Sequence, residues 1–264
     1  MKLSGNTVFI TGGGAGIGRA LAEALHKLGN QIIISDRAAA ALDEVTKANP
    51  GMQSMVLDVS DGEAIARVSA QLIAKYPKLN VVINNAGIQR IDDVGGRVDD
   101  EVLLSTMFIN LLGPIRLNSA LVDHLRQQPT ATIINLSSML GYVPLAEAAL
   151  YCAAKAALHS YTLSLRYKLE GSSVSVLEIA PPYVQTHLLP QNMVDPRAMP
   201  LSQFIAETME VLATEEVEVL VPRAKARRDI LRPGEVLATK QFNDMFNAGD
   251  YQKYGAAAPK PSAH

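Results

Sequence analysis

Tyr151 and Lys155 stand four residues apart in the stretch ALYCAAKAALHSY, residues 149–161, with the serine pair Ser137-Ser138 a little upstream. On a helix, residues four apart share a face, so the lysine ammonium can lie beside the phenol. That matters because a phenol ionises near pH 10 and is mostly the wrong species to accept a proton at neutral pH. A neighbouring cation favours the phenolate. Bringing such a group from about 10 to about 7 takes about 4 kcal/mol of differential stabilisation, within reach of nearby positive charge in a partly desolvated cleft. The pair predicts a general acid/base, with Lys155 required in its charged form. One Tyr-x-x-x-Lys spacing is weak on its own, so the rest of the chain must supply a setting for it.

The first apolar run, TVFI, leads directly into Thr11-Gly12-Gly13-Gly14-Ala15-Gly16-Ile17-Gly18. A glycine-rich turn between a strand and a helix lets backbone N–H groups approach a phosphate at the positive end of the helix. Gly13 to Gly18 superficially mimics a P-loop, but Arg19-Ala20 replaces the required Lys and Ser/Thr, which argues against nucleoside triphosphate hydrolysis. No frame fits G-x-G-x-x-G either, and Gly12, Gly16 and Gly18 remain as T-G-x-x-x-G-x-G. Asp36 closes the second strand, where a carboxylate can accept from both ribose hydroxyls of an adenosine and repel a 2′-phosphate. This favours NAD over NADP. Arg37 next to it is a possible partner for such a phosphate, and Ala15 brings no second positive charge.

These residues need a frame, and the chain has one. Short β-branched runs alternate with helical patterns: TVFI and Gly16 to Leu28; QIIIS and Ala38 to Ala48; MQSMVL and Asp61 to Lys75; NVVIN and a helix from about Val102 to Gln127; ATIINL and Ala149 to Leu169; VSVLEI and, after an irregular stretch, Leu201 to Leu212. Strands apolar at nearly every position are buried on both faces, which predicts an α/β fold: a doubly wound, Rossmann-like parallel sheet in three layers. Ser60 with Glu63 reads as a capping box for the third helix, Asn49-Pro50-Gly51 stops the second, and Gly171 follows the Tyr151 helix. With 264 residues, 48% apolar and 19% charged, we expect a single domain over 1–250, including a substrate loop at about 182–200, and a frayed tail over 251–264.

Composition also narrows the partners. A net charge of −2 gives no electrostatic reason to expect nucleic acid or an anionic membrane, and no run approaches a membrane span. The single cysteine, Cys152, reads as small core filler, no Cys/His cluster has metal spacing, and a cytoplasmic setting is expected. The basic run Arg223 to Arg232 reads as a solvated face. His159 continues the Tyr151 and Lys155 face one turn further, where it could enter a relay, and its other reading is a helix-surface or subunit-contact histidine. The helices over 102–127 and 149–169 are apolar around much of their circumference, which predicts a homodimer or homotetramer.

Taken together, TGGGAGIG, Asp58-Val59, Asn84-Asn85-Ala86-Gly87, Asn110, the Ser138, Tyr151 and Lys155 set, and Pro181 to Thr186 resemble the standard-length short-chain dehydrogenases/reductases, in order over residues 5 to about 190. NNAGIQR, APPYV, EVLVP and the basic run resemble the bacterial branch labelled for D-alanine esterification of teichoic acids. The family resemblance implies an NAD(H)-dependent oxidoreductase acting on a secondary alcohol or ketone. It selects Ser138 over Ser137 as the group that holds the carbonyl oxygen and Asn110 as the residue that links Lys155 through water to solvent. Local helix distortion is the other reading of Asn110. Cofactor contacts are expected from Gly12, Gly16, Ile17, Gly18, Asp36, Arg37, Asp58, Val59, Asn85, Ala86, Gly87, Tyr151, Lys155, Val184 and Thr186. Gln89, Arg90, Tyr142, Tyr183 and His187 are expected to line a small-molecule pocket. Where many members have Pro-Gly, this chain has Pro181-Pro182, which removes a backbone donor and stiffens the segment. The alternative is an NAD-binding sensor or scaffold without turnover.

Overall fold

The computed structural model describes residues 1–189, 193–232 and 234–247. The expected tail over 251–264, the end of the 1–250 span and residues 190–192 of the loop lie outside them. Among the described residues seven strands form one sheet: β1 (Thr7–Thr11), β2 (Gln31–Asp36), β3 (Gln53–Val56), β4 (Leu79–Asn84), β5 (Ala131–Leu136), β6 (Val174–Ile179) and β7 (Glu218–Val219). Their order is β3-β2-β1-β4-β5-β6-β7, and every pairing is parallel. Sequence order reverses between β1 and β4, and the crevice beyond the carboxyl ends of the strands at such a point is where doubly wound sheets take ligands.

Alternation along each strand builds two cores. Val8, Ile10, Ile32, Ile34, Ile83 and Ile134 face α1 (Gly16–Lys27) and α7 (Leu201–Leu212). Phe9, Ile33, Val82, Ile133 and Val176 face α3 (Gly62–Lys75) and α5 (Gly113–Arg126). Successive side chains on a strand point to opposite faces, so burial on both sides selects apolar residues at every position. The remaining helices are α2 (Ala39–Ala48), α4 (Asp100–Met107), α6 (Ala149–Leu169), α8 (Pro222–Leu231) and α9 (Glu235–Asn247). Three layers and a doubly wound sheet follow, as the periodicity predicts.

Two local expectations are corrected. Asp61, and not Ser60, caps α3: its carboxylate accepts from the amides of Glu63 and Ala64, while the Ser60 hydroxyl donates to Asp58 at 2.6 Å. A carboxylate at the N-terminus also complements the helix dipole, which favours it over the serine. The helix expected from about Val102 to Gln127 begins at Asp100 under an Asp99 cap and is interrupted by a wider turn at Phe108–Leu112. Asn110 lies inside that turn, so distortion of the helix is real at this residue.

Candidate active site

The glycine-rich turn is packed from below by the end of β4. Asn85 donates its amide to the carbonyls of Thr11 and Gly12 at 2.9 and 3.1 Å, and the Thr11 hydroxyl accepts from the backbone of Asn85 and Ala86. Side chains cannot fit there: a Cβ on Gly18 would lie 2.2 Å from the Gly12 carbonyl oxygen, and one on Gly12 2.8 Å from the Ala86 Cα. Gly12 and Gly16 also have positive φ values of 66° and 54°. Helix α1 opens from Ala15 with no side-chain cap and no acid in its first turn, so its free amides face the turn unopposed. Asp36 hangs over the same turn, with Oδ2 3.0 Å from where a Gly14 Cβ would be and Oδ1 accepting from the Ala38 amide. Ser60 holds the Asp58 carboxyl below its ordinary range, helped by the Arg37 charge. Val59 is buried beneath Gly113. Such a surface can hold a phosphate against backbone amides and a ribose against Asp36.

Beside it lie the candidate catalytic groups. Ser138 follows β5, its hydroxyl accepting from the Leu140 amide at 3.1 Å, and it lies close enough to Tyr151 to favour the phenolate. Tyr151 and Lys155 are both buried on α6, and Lys155 Nζ donates to the Leu136 carbonyl at 2.7 Å, 5.7 Å from the Tyr151 ring centroid. Burial pushes the Tyr151 phenol up to about 12, against the Ser138 hydrogen bond, and lowers Lys155 to about 8, against the charge of Glu178. The downward pull expected on the phenol is therefore outweighed here by desolvation. Gly87 places its backbone between the two: a Cβ on it would lie 2.9 Å from Asn110 Oδ1 and 3.7 Å from Lys155 Nζ. Asn110 is fully buried and clamps Ile88, accepting from its amide at 3.0 Å and donating to its carbonyl at 2.8 Å.

The residues after β6 close the far side. Val184 bridges to Met199, and Thr186 is buried, with its Cβ 3.8 Å from where a Gly16 Cβ would lie. Gln89 is half-buried, and Arg90 and His187 are exposed. Tyr183 is exposed and donates to Asp195 at 3.2 Å. Tyr142 is a correction: it is buried in the core, its hydroxyl donates to Glu218 at 3.2 Å, and its ring packs against His159 with centroids 4.6 Å apart and planes tilted by 51°.

The family model for short chain dehydrogenases matches residues 6–195. The chain belongs to the short chain dehydrogenases. It is 36% identical to an uncharacterized oxidoreductase, DltE, of Bacillus subtilis over 252 residues, which are 94% of this chain and all of that protein. It is 34% identical to the NADPH-dependent 1-acyldihydroxyacetone phosphate reductase of Schizosaccharomyces pombe, over 90% of this chain and 75% of that one. Among solved structures, a short chain dehydrogenase from Burkholderia cenocepacia in complex with NADP superposes with a TM-score of 0.77 at 24% identity, covering 91% of this chain and 99% of that one. Another from Burkholderia phymatum in complex with NAD gives 0.78 at 21% identity, covering 91% and 97%. At those identities the likeness shows the fold.

Beyond the family set, the structure brings together residues that the sequence reading did not assemble. His159 is not on the surface: it is 1% exposed, between Glu178 of β6 and Glu235 of α9. The one signal available in the sequence is Glu178 itself, an acid in the otherwise apolar strand VSVLEI. Cys152 is buried and exchanges hydrogen bonds with the Leu145 backbone, and burial pushes its thiol up, as inert filler requires. Among the described residues no helix is long and apolar enough to cross a membrane, and no group of His, Cys, Asp or Glu could hold a metal ion.

Proposed function

We propose that this short chain dehydrogenase is an NAD(H)-dependent oxidoreductase acting on a secondary alcohol or its ketone, with Tyr151 as the acid/base. The observation that carries this reading is the convergence of Ser138, Tyr151 and Lys155 beside a glycine turn that only glycines can build. When bound, the nicotinamide supplies the hydride acceptor or donor and, oxidised, a positive charge. Ser138 is a neutral donor that can hold the carbonyl oxygen without exchanging charge. Tyr151 gives a proton to that oxygen in reduction and takes one from the alcohol in oxidation. Lys155, anchored on the Leu136 carbonyl, keeps its ammonium within reach of the phenol while the Asn110–Ile88 clamp fixes the neighbouring wall.

The residues present fit a dinucleotide: an uncapped helix start, a turn closed to side chains, and a carboxylate above it. Asp36 favours NAD, since a 2′-phosphate would meet its charge. In this reading Gln89, Arg90, Tyr183 and His187 would meet the substrate, and Thr186 would bond the carboxamide. Self-association into a homodimer or homotetramer is supported by the exposed face of α6, where Ala153, Ala157, Ser160 and Ser164 form a stripe of small residues. A cytoplasmic setting suits the free thiol. The test is direct: purified protein is given NAD⁺ or NADP⁺ with isopropanol, cyclohexanol and related secondary alcohols, and reduced cofactor is followed by absorbance. Turnover with NAD⁺ is expected. Tight binding of NAD⁺ without turnover on any alcohol or ketone favours a sensor or scaffold instead.

A further inference from the structure

Behind the catalytic set, one carboxylate touches both elements that carry it. Glu178 is 0% exposed and points from β6 towards α6. It accepts from the Ser137 hydroxyl, next in the chain to Ser138, and from His159 Nδ1 at 2.8 and 3.0 Å. His159 continues the face of α6 that bears Tyr151 and Lys155. We propose that Glu178 and His159 are positioning residues for this reaction, tying the Ser138 strand end to the Tyr151 helix, and that α9 completes the tie through Glu235. This rests on the oxidoreductase reading above.

The donor count fixes the form in which the tie works. His159 Nε2 faces Glu235 Oε2 at 3.1 Å while Nδ1 faces Glu178. A neutral imidazole has one donor, and an ionised carboxylate has none, so two flanking carboxylates are both satisfied only by an imidazolium. The surroundings agree. Burial opposes charge on His159, yet the hydrogen bonds and charges of Glu178 and Glu235 raise its pKa. Among the described residues the charged and titratable groups about the ring are Glu178 of β6, Glu235 of α9 and Tyr142, whose ring is tilted against it; Lys155 and Arg166 of α6 feel the charge of Glu178, and Arg232 pairs with Glu235 and lies over Tyr142. Tyr142 donates in turn to Glu218, the partner of Arg228 of α8. The charge of Glu178 also favours the Lys155 ammonium, against its burial.

The test compares the full-length protein with S137A, E178Q and E235Q, using NAD⁺ with cyclohexanol and NADH with ethyl acetoacetate across the pH range. Melting temperature and NADH affinity are measured alongside. S137A and E178Q should lower kcat roughly 10- to 100-fold, the effect of a small misplacement of reacting groups, with NADH affinity and KM little changed. Because the charged imidazole is the working form, activity is lost as pH rises through the His159 pKa; E235Q removes one anion and should bring that loss to lower pH. NMR of the His159 ring, assigned with H159Q, should show an imidazolium at neutral pH in the parent and a lower titration in E235Q. If the parent turns over and S137A keeps its full kcat, or if the ring is neutral at pH 7, the tie is overturned while the oxidoreductase reading stands. If the parent binds NADH but converts no alcohol or ketone, that reading falls and this one with it. Should E178Q fail to fold, S137A, which removes a single hydroxyl, decides the matter.

Discussion

Gly18→Ala is the perturbation whose cost can be worked most closely from the turn. Its added Cβ would sit 2.2 Å from the Gly12 carbonyl oxygen and 2.3 Å from the Asn85 amide nitrogen. An ordinary carbon–oxygen contact is more than 3 Å, so the turn must open by about 1 Å, and overpacking of this kind costs about 1–3 kcal/mol of stability. Neither obstacle is a flexible side-chain end: one is backbone, and the other is held by bonds to Thr11 and Gly12 at 2.9 and 3.1 Å. The same opening moves the amides that would meet a phosphate. Losing one hydrogen bond to a charged group costs about 1.5–3 kcal/mol, which is roughly a 10- to 150-fold weaker Kd. The chain has no tryptophan, so the assay is the rise in NADH's own fluorescence on binding, with thermal melting alongside. Gly5→Ala is the comparison: φ is 76° but nothing lies within 4 Å of the new Cβ, so it should cost about 1–2 kcal/mol of stability and leave NADH affinity intact. If Gly18→Ala binds NADH as tightly as the parent, the turn is not the cofactor cradle.

Other outcomes follow from the same geometry. Asp36→Ala should narrow the preference for NAD⁺ over NADP⁺ by about tenfold or more, measured as the ratio of kcat/KM, because the charge that opposes a 2′-phosphate is gone. Lys155, lowered to about 8 by burial, should impose a fall in kcat as pH rises through that value. Its charge is also a burden on the fold: between about 8 and 10.5 the unfolded chain holds a proton that the native one has released, so stability should rise with pH across that window. Lys155→Met should accordingly gain stability on the order of 1–3 kcal/mol at neutral pH while losing turnover, seen by denaturant titration beside rate measurements. Light scattering should give a mass of two or four chains, and a charged residue in place of Ala157 on the exposed face of α6 should reduce it.

The sheet was legible because burial on both faces leaves a plain trace: β1, β2, β4 and β5 each carry consecutive apolar residues at their centres, and the helices between them carry their own stops. Tyr151, Lys155 and the glycine turn were legible because their chemistry depends on local spacing. What escaped the sequence depended on contacts between distant segments. His159 looks like a surface residue until α9, more than seventy residues later, folds over it and brings Glu235 to its outer nitrogen. Tyr142 looked available to a substrate because nothing local shows that Glu218 waits for its hydroxyl. Asn110 carried two readings, and a distorted turn with a side chain spent on Ile88 is what its position holds. The Ser60–Glu63 pattern was shifted by one residue because Asp61, one step later, is the stronger acceptor at a helix start.

The central claim is that the Tyr151 hydroxyl moves the proton in a hydride-transfer reaction, and Tyr151→Phe tests it with the least disturbance, since only one oxygen is removed from a buried ring. This variant should bind NADH as the parent does and lose kcat by 100-fold or more, about the contribution of a positioned acid/base. Turnover at the parental rate would contradict it.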